Sequence, residues 1–431
     1  MIRLADDVQV PNFYDFGMNP STTTTRPSAL HRVAHAAIAA TAAGLLLAST
    51  ACSSDTDAAT PTTNVATTTV APTTTSPPAT TPPPPTVEPT TTTAADEARQ
   101  TMLRDILESH HAAGEFVGAR IAVLDHEGTV TEVVDGTQTT DPASAPVDPN
   151  VAWNIGSVTK TFVAVVVLQL ADEGKIDLDA GISGYFPDLA GADQITPRQL
   201  LQHTSGLGEY SEQPAVLNDR HRTWTPAELI AAAEAAGRVG EPGGPHHYSN
   251  TNYVVLGEII AKVTGNPWED EVRTRIVEPL GMTNTSVLHG DLPVGYKSVD
   301  GAFVDSTYSM DPSIANAAGA LQSTGHDLLL FASALAHGTL LSPASQSPMK
   351  AFVPGDDYSQ FGIVHLYGLG LEQYSNDSIT LDGHMGTGEA QSAFLGYDTA
   401  HDSAIVVMTN TAIPGPQALI AVEALLAVEG S

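Results

Sequence analysis

The sequence predicts an α/β fold: a mostly antiparallel sheet flanked by N-terminal and C-terminal helices, with an inserted all-α lobe. Strand-like segments occur near residues 117–136 and return after about residue 355, whereas residues 180–290 hold mainly helical patterns broken by Gly and Pro. Helical patterns also precede the first strands and follow the last ones. We therefore expect an α/β lobe of about residues 95–180 and 290–431, with the α lobe of about 180–290 between its two parts.

The order of the elements follows from local patterns. Apolar residues at helical spacing predict a first helix that closes at Gly114, and two strand-like runs around "HEG" predict a hairpin. A polar start and a long apolar run predict a helix from about Ser157 to Glu173, ended by Gly174. Further helices, the late strands and a closing helix are predicted by the segments "ITPRQLLQH", "TPAELIAAAEAAG", "TNYVVLGEIIAKVTG", "WEDEVRTRIVEPLG", "YGLGLEQY", "AQSAFLGYD", "SAIVVMTN" and "PQALIAVEALLAVEG".

The charge of the chain excludes one class of partner. The 17 basic residues stand against 49 acidic ones, which gives a formal net charge of −32. Nucleic acid and anionic membrane surfaces would repel such a protein, so we expect neither as a direct partner. The one cysteine, Cys52, excludes an internal disulfide framework and a metal site built from several thiolates.

Residues 1–52 have the pattern of a signal peptide that ends in a lipidation site. The Ala/Leu-rich run before Cys52 follows arginines and ends in small residues, which is the order of a secretory signal. "LASTAC" resembles a bacterial lipobox, so we expect a lipid on Cys52 that anchors the protein to the outer face of the cell membrane. The alternatives are a cleaved signal, which would leave the protein freely secreted, and an uncleaved anchor helix. The acidic first residues do not fit a signal, so we expect the true start at Met18.

Residues 53–94 have the composition of a linker. Thr, Pro and Ala dominate them, so they bury too little apolar surface to offset their ordering entropy, and the prolines keep them extended. We expect a spacer between the anchor and a folded domain at residues 95–431. A leader segment without a role is the alternative.

One lysine stands at the start of one of the most apolar runs in the chain. Only five lysines occur in the sequence, and Lys160 follows Ser157 by three residues. This S-x-x-K spacing places both side chains on one helical face, with the serine at or beside the helix N-terminus. A lysine in apolar surroundings loses solvation, so its neutral form becomes accessible and can take a proton from a hydroxyl. The pair is a candidate nucleophile and base.

Two further motifs are candidates for the same site. Tyr248 and Asn250 form Y-x-N before a predicted helix, where the phenol is a second candidate base and the amide can orient the lysine or bind a substrate amide. His384 and Gly386 form H-x-G at the start of a predicted strand, where the histidine would supply positive character or a hydrogen bond and the glycines would let a ligand approach the backbone. The structural alternatives are a packed turn tyrosine with a capping asparagine, and a structural histidine.

Each motif has a second copy that we interpret as incidental. Ser347–Lys350 repeats S-x-x-K, but the segment after it breaks within a few residues. Tyr374–Asn376 repeats Y-x-N in what we predict to be an exposed turn between strands. His126–Gly128 repeats H-x-G within the predicted hairpin turn.

The order of the three motifs indicates more than any one of them. Y-x-N follows S-x-x-K by 91 residues, and H-x-G follows after 136 more. Together with "IGSVTKTF", "LQLADEGKIDLD", "ITPRQLLQHTSGL", "GLGL" and "GHMGTG", they resemble the serine β-lactamase and penicillin-binding superfamily over about residues 98–425. The likeness is to its class C-like branch of β-lactamases, D-alanyl-D-alanine carboxypeptidases, D-aminopeptidases and esterases, above all to secreted DD-carboxypeptidases of actinobacteria. It implies a β-lactamase/DD-peptidase-like fold.

The resemblance also implies a role for each matching residue. Ser157 would form an acyl-enzyme, Lys160 and Tyr248 would share the general-base and general-acid duty, and Asn250 would assist Lys160. The backbone N–H groups of Ser157 and Thr387 would form the oxyanion hole, beside Gly386. No metal and no organic cofactor is required.

Three residues depart from the family pattern or replace a family residue. His384 stands where other branches carry the lysine of K-T-G, and Met385 takes a position where threonine often binds the substrate carboxylate. Glu372 follows "GLGL", where similar carboxypeptidases can have a basic residue. If Glu372 faces the site, it would repel a substrate carboxylate and favour an amine or a neutral ester. The alternative is an outward-facing, solvated Glu372.

The expected function is that of a cell-envelope serine hydrolase, foremost a D-alanyl-D-alanine carboxypeptidase. The expected partners are a peptidoglycan-type peptide or a small ester or amide, with β-lactams as further ligands. An esterase or D-amino-acid amidase on the same scaffold is the closest alternative. A penicillin-binding sensor whose acyl-enzyme does not turn over is the alternative from another class of protein.

Overall fold

The computed structural model describes residues 94–412 and 415–429. The expectations for the signal peptide, for Met18 and Cys52, and for the linker up to residue 93 lie outside these residues. Within the described part of the chain, no helix combines the length and the apolar character needed to cross a membrane.

The predicted helices occur where the sequence patterns place them, and three further helices, between residues 316 and 349, were not predicted. The first, α1, ends two residues before Gly114, and the helix after the nucleophile motif ends just before Glu173. A five-residue π-helical segment, Arg273–Val277, joins two short helices of the predicted "WEDEVRTRIVEPLG" segment. The α-helices are α1 Ala94–Ala112, α2 Thr159–Asp172, α3 Pro197–Leu201, α4 Pro214–Leu217, α5 Pro226–Ala236, α6 Asn250–Thr264, α7 Trp268–Val272, α8 Glu278–Leu280, α9 Asn316–Gly319, α10 Gly325–Ala336, α11 Pro343–Met349 and α12 Pro416–Glu429.

The main sheet has eight strands in the order β2-β1-β13-β12-β11-β10-β9-β8, and every neighbouring pair is antiparallel. It therefore joins the early hairpin to the late strands, as the fold class predicted. Its strands are β1 Gly118–Leu124, β2 Val130–Gly136, β8 Val353–Pro354, β9 Val364–Tyr367, β10 Glu372–Ser375, β11 Thr380–Thr387, β12 Ser392–Asp398 and β13 Ser403–Thr409, and the small sheets are formed by β3 Trp153–Asn154, β4 Ser286–Val287, β5 Tyr296–Val299, β6 Ala302–Asp305 and β7 Leu321–Ser323.

The two faces of the main sheet carry different helices. On one face, α1 and α12 pack through Leu103, Leu107, Ile420 and Leu425 against the apolar side chains of the strands. The other face adjoins the larger hydrophobic cluster, which includes Phe162 of α2. This arrangement confirms the predicted fold, in which N-terminal and C-terminal helices flank a mostly antiparallel sheet.

Helix α2 is buried on all sides, which explains its uniformly apolar sequence. Every residue from Thr159 to Leu168 is buried, and the helix contacts α6 of the helical segment as well as β11 of the sheet. A helix that is apolar all round belongs in the interior of a protein. A polar side chain between Thr159 and Leu168 is therefore held between the sheet and the helices.

Candidate active site

Ser157 lies on a 3-10 turn, Gly156–Val158, that leads directly into α2. The prediction that it lies at or beside the helix N-terminus is confirmed. Gly156 has φ +50°, a left-handed conformation that glycine adopts at little cost. This turn exposes the serine, which is half-buried, at the end of an otherwise buried helix.

Lys160 is fully buried and contacts Ser157 directly. Its Nζ lies 2.9 Å from Ser157 Oγ, 2.8 Å from Asn250 Oδ1 and 2.7 Å from the backbone oxygen of Ala318. Burial lowers the pKa of Lys160 to about 7, although the charges of Glu209 and Glu372 act in the opposite direction. The amine is therefore neutral in a large fraction of molecules near neutral pH, in position to accept the serine proton.

Tyr248 and Asn250 lie on the loop that enters α6, as the sequence predicted. Asn250 is the first residue of the helix, and its side-chain oxygen faces Lys160 instead of capping the helix. The Tyr248 ring lies 4.9 Å from Lys160 Nζ, measured to the ring centroid. Both residues of the Y-x-N motif are thus brought to the Ser157–Lys160 pair.

Two glycines bring the end of β11 against the nucleophile turn. A Cβ on Gly156 would lie 2.8 Å from the Thr387 nitrogen, and one on Gly386 would lie 3.0 Å from the Ser157 nitrogen. The backbone segments of Ser157 and Thr387 are therefore in direct contact, which only glycine permits at both positions. Paired N–H donors from such segments can stabilise the charge that develops on a reacting carbonyl oxygen.

His384 lies in the interior of β11, not at its start, and its ring is completely buried. Its Nε2 lies 3.0 Å from the Tyr367 hydroxyl, and its Nδ1 lies 2.6 Å from the Met385 carbonyl oxygen. Burial lowers the pKa of His384, and the Lys160 charge acts in the same direction against the opposing charge of Glu372. The lowered pKa disfavours a positive charge on His384, and the role of this residue at the site stays a prediction.

Met385 and Glu372 also differ from the expectations. The half-exposed Met385 side chain packs against the hydrophobic cluster under α1 and α12, on the strand face opposite His384. Glu372 is buried, so its solvated alternative is wrong. Its carboxylate accepts hydrogen bonds from the Met385 nitrogen at 2.7 Å and from the Tyr374 hydroxyl. The Glu372 carboxylate thus holds the β11 backbone at Met385 from inside the protein, where it is too buried to be a substrate contact.

The state of Glu372 follows from its neighbours. Burial alone would raise the pKa of this carboxyl, but the neighbouring His384 and His365 imidazoles and the hydrogen bond from the Tyr374 hydroxyl hold it at about 2. Burial opposes the charged form of His365 as well, yet the Glu372 carboxylate, 3.7 Å from its Nε2, raises its pKa above the usual value. Glu372 is thus a charged group paired with an imidazole inside the protein.

The second motif copies lie away from the site, in surroundings that differ from one another. Ser347 and Lys350 are exposed, and Lys350 pairs with Asp382 at 2.8 Å. Gly128 lies in the tight hairpin turn, as predicted. The prediction that Tyr374 lies in an exposed turn is wrong, because it lies in β10 and its ring is buried among the aromatic side chains next to Glu372.

The sequence reasoning missed two residues of the "HTSGLGE" segment. Glu209 accepts a hydrogen bond from the Asn250 nitrogen at 2.6 Å, and its charge acts on Lys160. His203 is buried, and its ring stacks on that of Tyr248 with centroids 4.2 Å apart. The family likeness of "ITPRQLLQHTSGL" was a signal for the region of His203, but nothing in its pattern indicates which side chains reach the site, and Glu209 lies beyond its end.

The described residues contain no cluster of three or more His, Cys, Asp or Glu side chains arranged to hold a metal ion. A buried Ser–Lys pair, a tyrosine beside it and adjoining backbone N–H groups are the parts needed for acyl transfer.

This fold and this site define a serine hydrolase of the penicillin-binding and β-lactamase fold. Residues 103–429 match the sequence profile of the Beta-lactamase family. The match covers most of the chain and includes every residue of the site, so the chain belongs to the Beta-lactamase family.

Two relatives illustrate the range of the family match. The chain is 27% identical over 326 residues to penicillin-binding protein 4 of Amycolatopsis lactamdurans, covering 71% of this chain and 83% of the relative. It is 32% identical over 241 residues to PbpX of Bacillus subtilis (strain 168), covering 54% of this chain and 57% of the relative. The chain thus spans little more than half the length of PbpX.

Among solved structures, the fold is similar to D-amino acid amidase from Ochrobactrum anthropi SV3 in complex with L-phenylalanine. The TM-score is 0.71 at 29% identity, and the match covers 77% of this chain and 98% of the amidase. The similarity therefore extends over nearly the whole of that enzyme.

Proposed function

We propose that this protein hydrolyses amide bonds next to D-amino acid residues through an acyl-enzyme on Ser157, as a D-alanyl-D-alanine carboxypeptidase of the class C-like branch. The observation that carries the proposal is the contact of 2.9 Å between Lys160 Nζ and Ser157 Oγ, made by a lysine with a pKa lowered to about 7. A serine needs such a neighbouring base to become a nucleophile at neutral pH.

In this mechanism Lys160 is the base of the acylation step. Its neutral amine takes the hydroxyl proton as Ser157 Oγ attacks the substrate carbonyl carbon. The backbone N–H groups of Ser157 and Thr387 stabilise the oxyanion. The leaving amine receives its proton from Lys160 or Tyr248, which adjoin one another. Water then attacks the ester carbonyl while Lys160 or Tyr248 takes one of its protons, and that proton passes to Ser157 Oγ as the acyl C–O bond breaks and the acid leaves.

The position of Glu372 removes one objection to a carboxylate substrate. Because the Glu372 carboxylate is buried inside the protein and lies next to His365, its negative charge is balanced within the protein. The carboxypeptidase proposal therefore no longer conflicts with an acidic residue after "GLGL".

A D-amino-acid amidase is the second candidate, and Glu209 favours it. This half-buried carboxylate lies at the site, hydrogen-bonded to the Asn250 nitrogen at 2.6 Å, and would attract the free amine of an amino acid amide. The likeness to the Ochrobactrum amidase over 98% of that chain supports the same candidate. An esterase would act on a neutral substrate, which has neither the carboxylate of the peptide nor the free amine of the amino acid amide.

Three substrates separate these candidates. The purified protein is incubated with a D-Ala-D-Ala peptide, with D-phenylalanine amide and with p-nitrophenyl acetate, beside Ser157→Ala and the matched control Ser347→Ala. Release of D-alanine supports the carboxypeptidase, release of ammonia supports the amidase, and ester turnover alone supports the esterase. Activity that survives in Ser157→Ala would overturn the acyl-enzyme proposal, whereas Ser347→Ala is expected to match the parent protein.

We further propose that the protein acts at the cell envelope as a lipoprotein anchored through Cys52, with β-lactams as additional acylating ligands. The support is the lipobox-like "LASTAC" and the Thr/Pro-rich segment after it. In a bacterial host, Cys52→Ser is expected to move the protein from the membrane fraction to the medium. Equal membrane retention of both forms would contradict the lipid anchor.

A further inference from the structure

A chain of hydrogen bonds runs behind the site through three buried side chains. His203 Nε2 lies 3.2 Å from the Tyr367 hydroxyl oxygen, and the same oxygen lies 3.0 Å from His384 Nε2. All three side chains are at most 1% exposed. We call His203, Tyr367 and His384 the relay.

The contacts at its two ends fix the direction of every hydrogen bond in the relay. His203 Nδ1 accepts from the Ser249 nitrogen at 3.1 Å, so its proton is on Nε2 and is donated to Tyr367. His384 Nδ1 lies 2.6 Å from the Met385 carbonyl oxygen, which can only accept. His384 Nδ1 therefore carries a hydrogen, and in the neutral ring, which its lowered pKa favours, Nε2 accepts the Tyr367 hydroxyl proton. Each contact contains one hydrogen atom. His203 donates to Tyr367, Tyr367 donates to His384, and His384 donates to the Met385 carbonyl oxygen.

The relay joins the two walls of the cleft. At one end it holds the backbone of Ser249, which lies between Tyr248 and Asn250 on the loop entering α6. At the other end it holds the backbone of Met385, two residues before Thr387 on β11. Tyr367, at the end of β9, is the only member that contacts both histidines among the described hydrogen bonds. The distance between the loop that carries Tyr248 and the end of β11 that carries Thr387 therefore depends on the Tyr367 hydroxyl.

His203 also supports the side chain of Tyr248. The two rings stack with centroids 4.2 Å apart and planes at 29°. Burial lowers the pKa of His203 well below its usual value, and the charges of His246 and Lys160 act in the same direction. A neutral ring is what the stack needs, because an imidazolium could not accept from Ser249 and would repel the Lys160 ammonium.

We propose that Tyr367 is a positioning residue for acylation: through His203 and His384 it sets Tyr248 and the Thr387 backbone at their working distance around Ser157. The inference deepens the proposed function and rests on it. It assigns no proton transfer to the relay, because every member already has its hydrogen-bond partners. Small displacements of catalytic groups are costly, about 100-fold in rate for an ångström.

The test is a double-mutant cycle on the acylation rate with p-nitrophenyl acetate. Tyr367→Phe keeps the ring and removes the hydroxyl, and is expected to lower kcat by about 10- to 100-fold with KM within about twofold. In a Tyr248→Phe background, the same substitution is expected to cost at least about threefold less than in the parent protein, because one of the two groups that it positions has already lost its function. Tyr397→Phe, which removes a tyrosine hydroxyl bonded to Asp402 at the far end of the sheet, is the matched control and is expected to retain full activity.

The outcomes distinguish the inference from the proposed function. Equal losses for Tyr367→Phe in both backgrounds, or no loss in either, would overturn the positioning role while Ser157→Ala remains inactive. Turnover by Ser157→Ala would instead overturn the proposed function. If Tyr367→Phe does not fold, judged by circular dichroism, His384→Gln and His384→Leu replace it in the cycle. Glutamine retains an acceptor near the position of Nε2, so it is expected to be the more active of the two, and equal activity would overturn the inference.

Discussion

Gly386 lies directly against Ser157: a Cβ added to Gly386 would be 3.0 Å from the Ser157 nitrogen and would overlap the Ile155 carbonyl oxygen. This contact joins the last residues of β11 to the nucleophile turn. It holds the Thr387 and Ser157 backbones side by side, so the geometry of the oxyanion hole depends on the absence of a side chain at one position.

Gly386→Ala is therefore expected to separate β11 from the nucleophile turn. We expect a loss of about 100-fold in kcat, since the oxyanion donors move apart, and about 2 kcal/mol in the free energy of unfolding from overpacking. Steady-state kinetics and urea denaturation measure the two effects. Gly184→Ala is the matched control, because a Cβ there has nothing within 4 Å. Parent-like kinetics for Gly386→Ala would refute the account of the contact.

The pH dependence of acylation should report the ionisation of Lys160. With its pKa lowered to about 7, the neutral amine is lost as the pH falls through 7, so kcat/KM should fall about tenfold per pH unit below that value and level off above it. His203 and His384, whose pKa values burial lowers, would produce such a limb only at lower pH. A limb confined to pH values below about 5 would show that Lys160 is not the base.

Asn250→Asp tests the same assignment by changing one charge. The new carboxylate would replace the amide oxygen that lies 2.8 Å from Lys160 Nζ, and an adjacent negative charge favours the ammonium form. The acid limb of kcat/KM should therefore move to higher pH by about one to three units. Activity at pH 7 should fall, with recovery in alkaline buffer. An unmoved limb with uniformly reduced activity would indicate that Asn250 does not act through Lys160.

Glu372→Gln should destabilise the protein in a pH-dependent way. The pKa of the Glu372 carboxyl is held at about 2 in the folded protein, below its usual 4.5, so its charge contributes stability above about pH 4.5 that is lost as the pH falls towards 2. We expect the substitution to cost about 2 kcal/mol at pH 7 and much less at pH 3. Urea denaturation at both pH values measures this, and an equal difference at both would contradict a charged, paired Glu372.

The sequence located the site residues whose contacts depend on local spacing. Ser157 and Lys160 share a helical face, and an apolar run reveals a buried helix, so their contact follows from helix geometry. Asn250 and Tyr248 were found because they precede an equally clear helix. Local spacing does not show that the two motifs meet in space. For these four residues, the order of the motifs along the chain indicated that contact.

The remaining residues depend on which face of a strand turns inward, and period-two patterns do not fix that. The sequence suggested that His384 supplies positive character or a hydrogen bond at the site, and that Glu372 either faces the substrate or lies in solvent, but in the structure both side chains are buried and bond to the backbone or side chains around β11. Tyr374 appeared to lie in a turn because polar residues follow it. The relay could not be predicted, since Tyr367 and His203 lie 164 residues apart and nothing local links them.

In the proposed mechanism, Ser157 carries the acyl group during turnover. Mass spectrometry of the protein quenched in acid during reaction with p-nitrophenyl acetate, followed by peptide mapping, tests this directly. We expect a single acetylated peptide that contains Ser157, and none in Ser157→Ala, while Ser347→Ala is labelled like the parent protein. Turnover without acetylated Ser157, or an acetyl group on another residue that persists in Ser157→Ala, would contradict it.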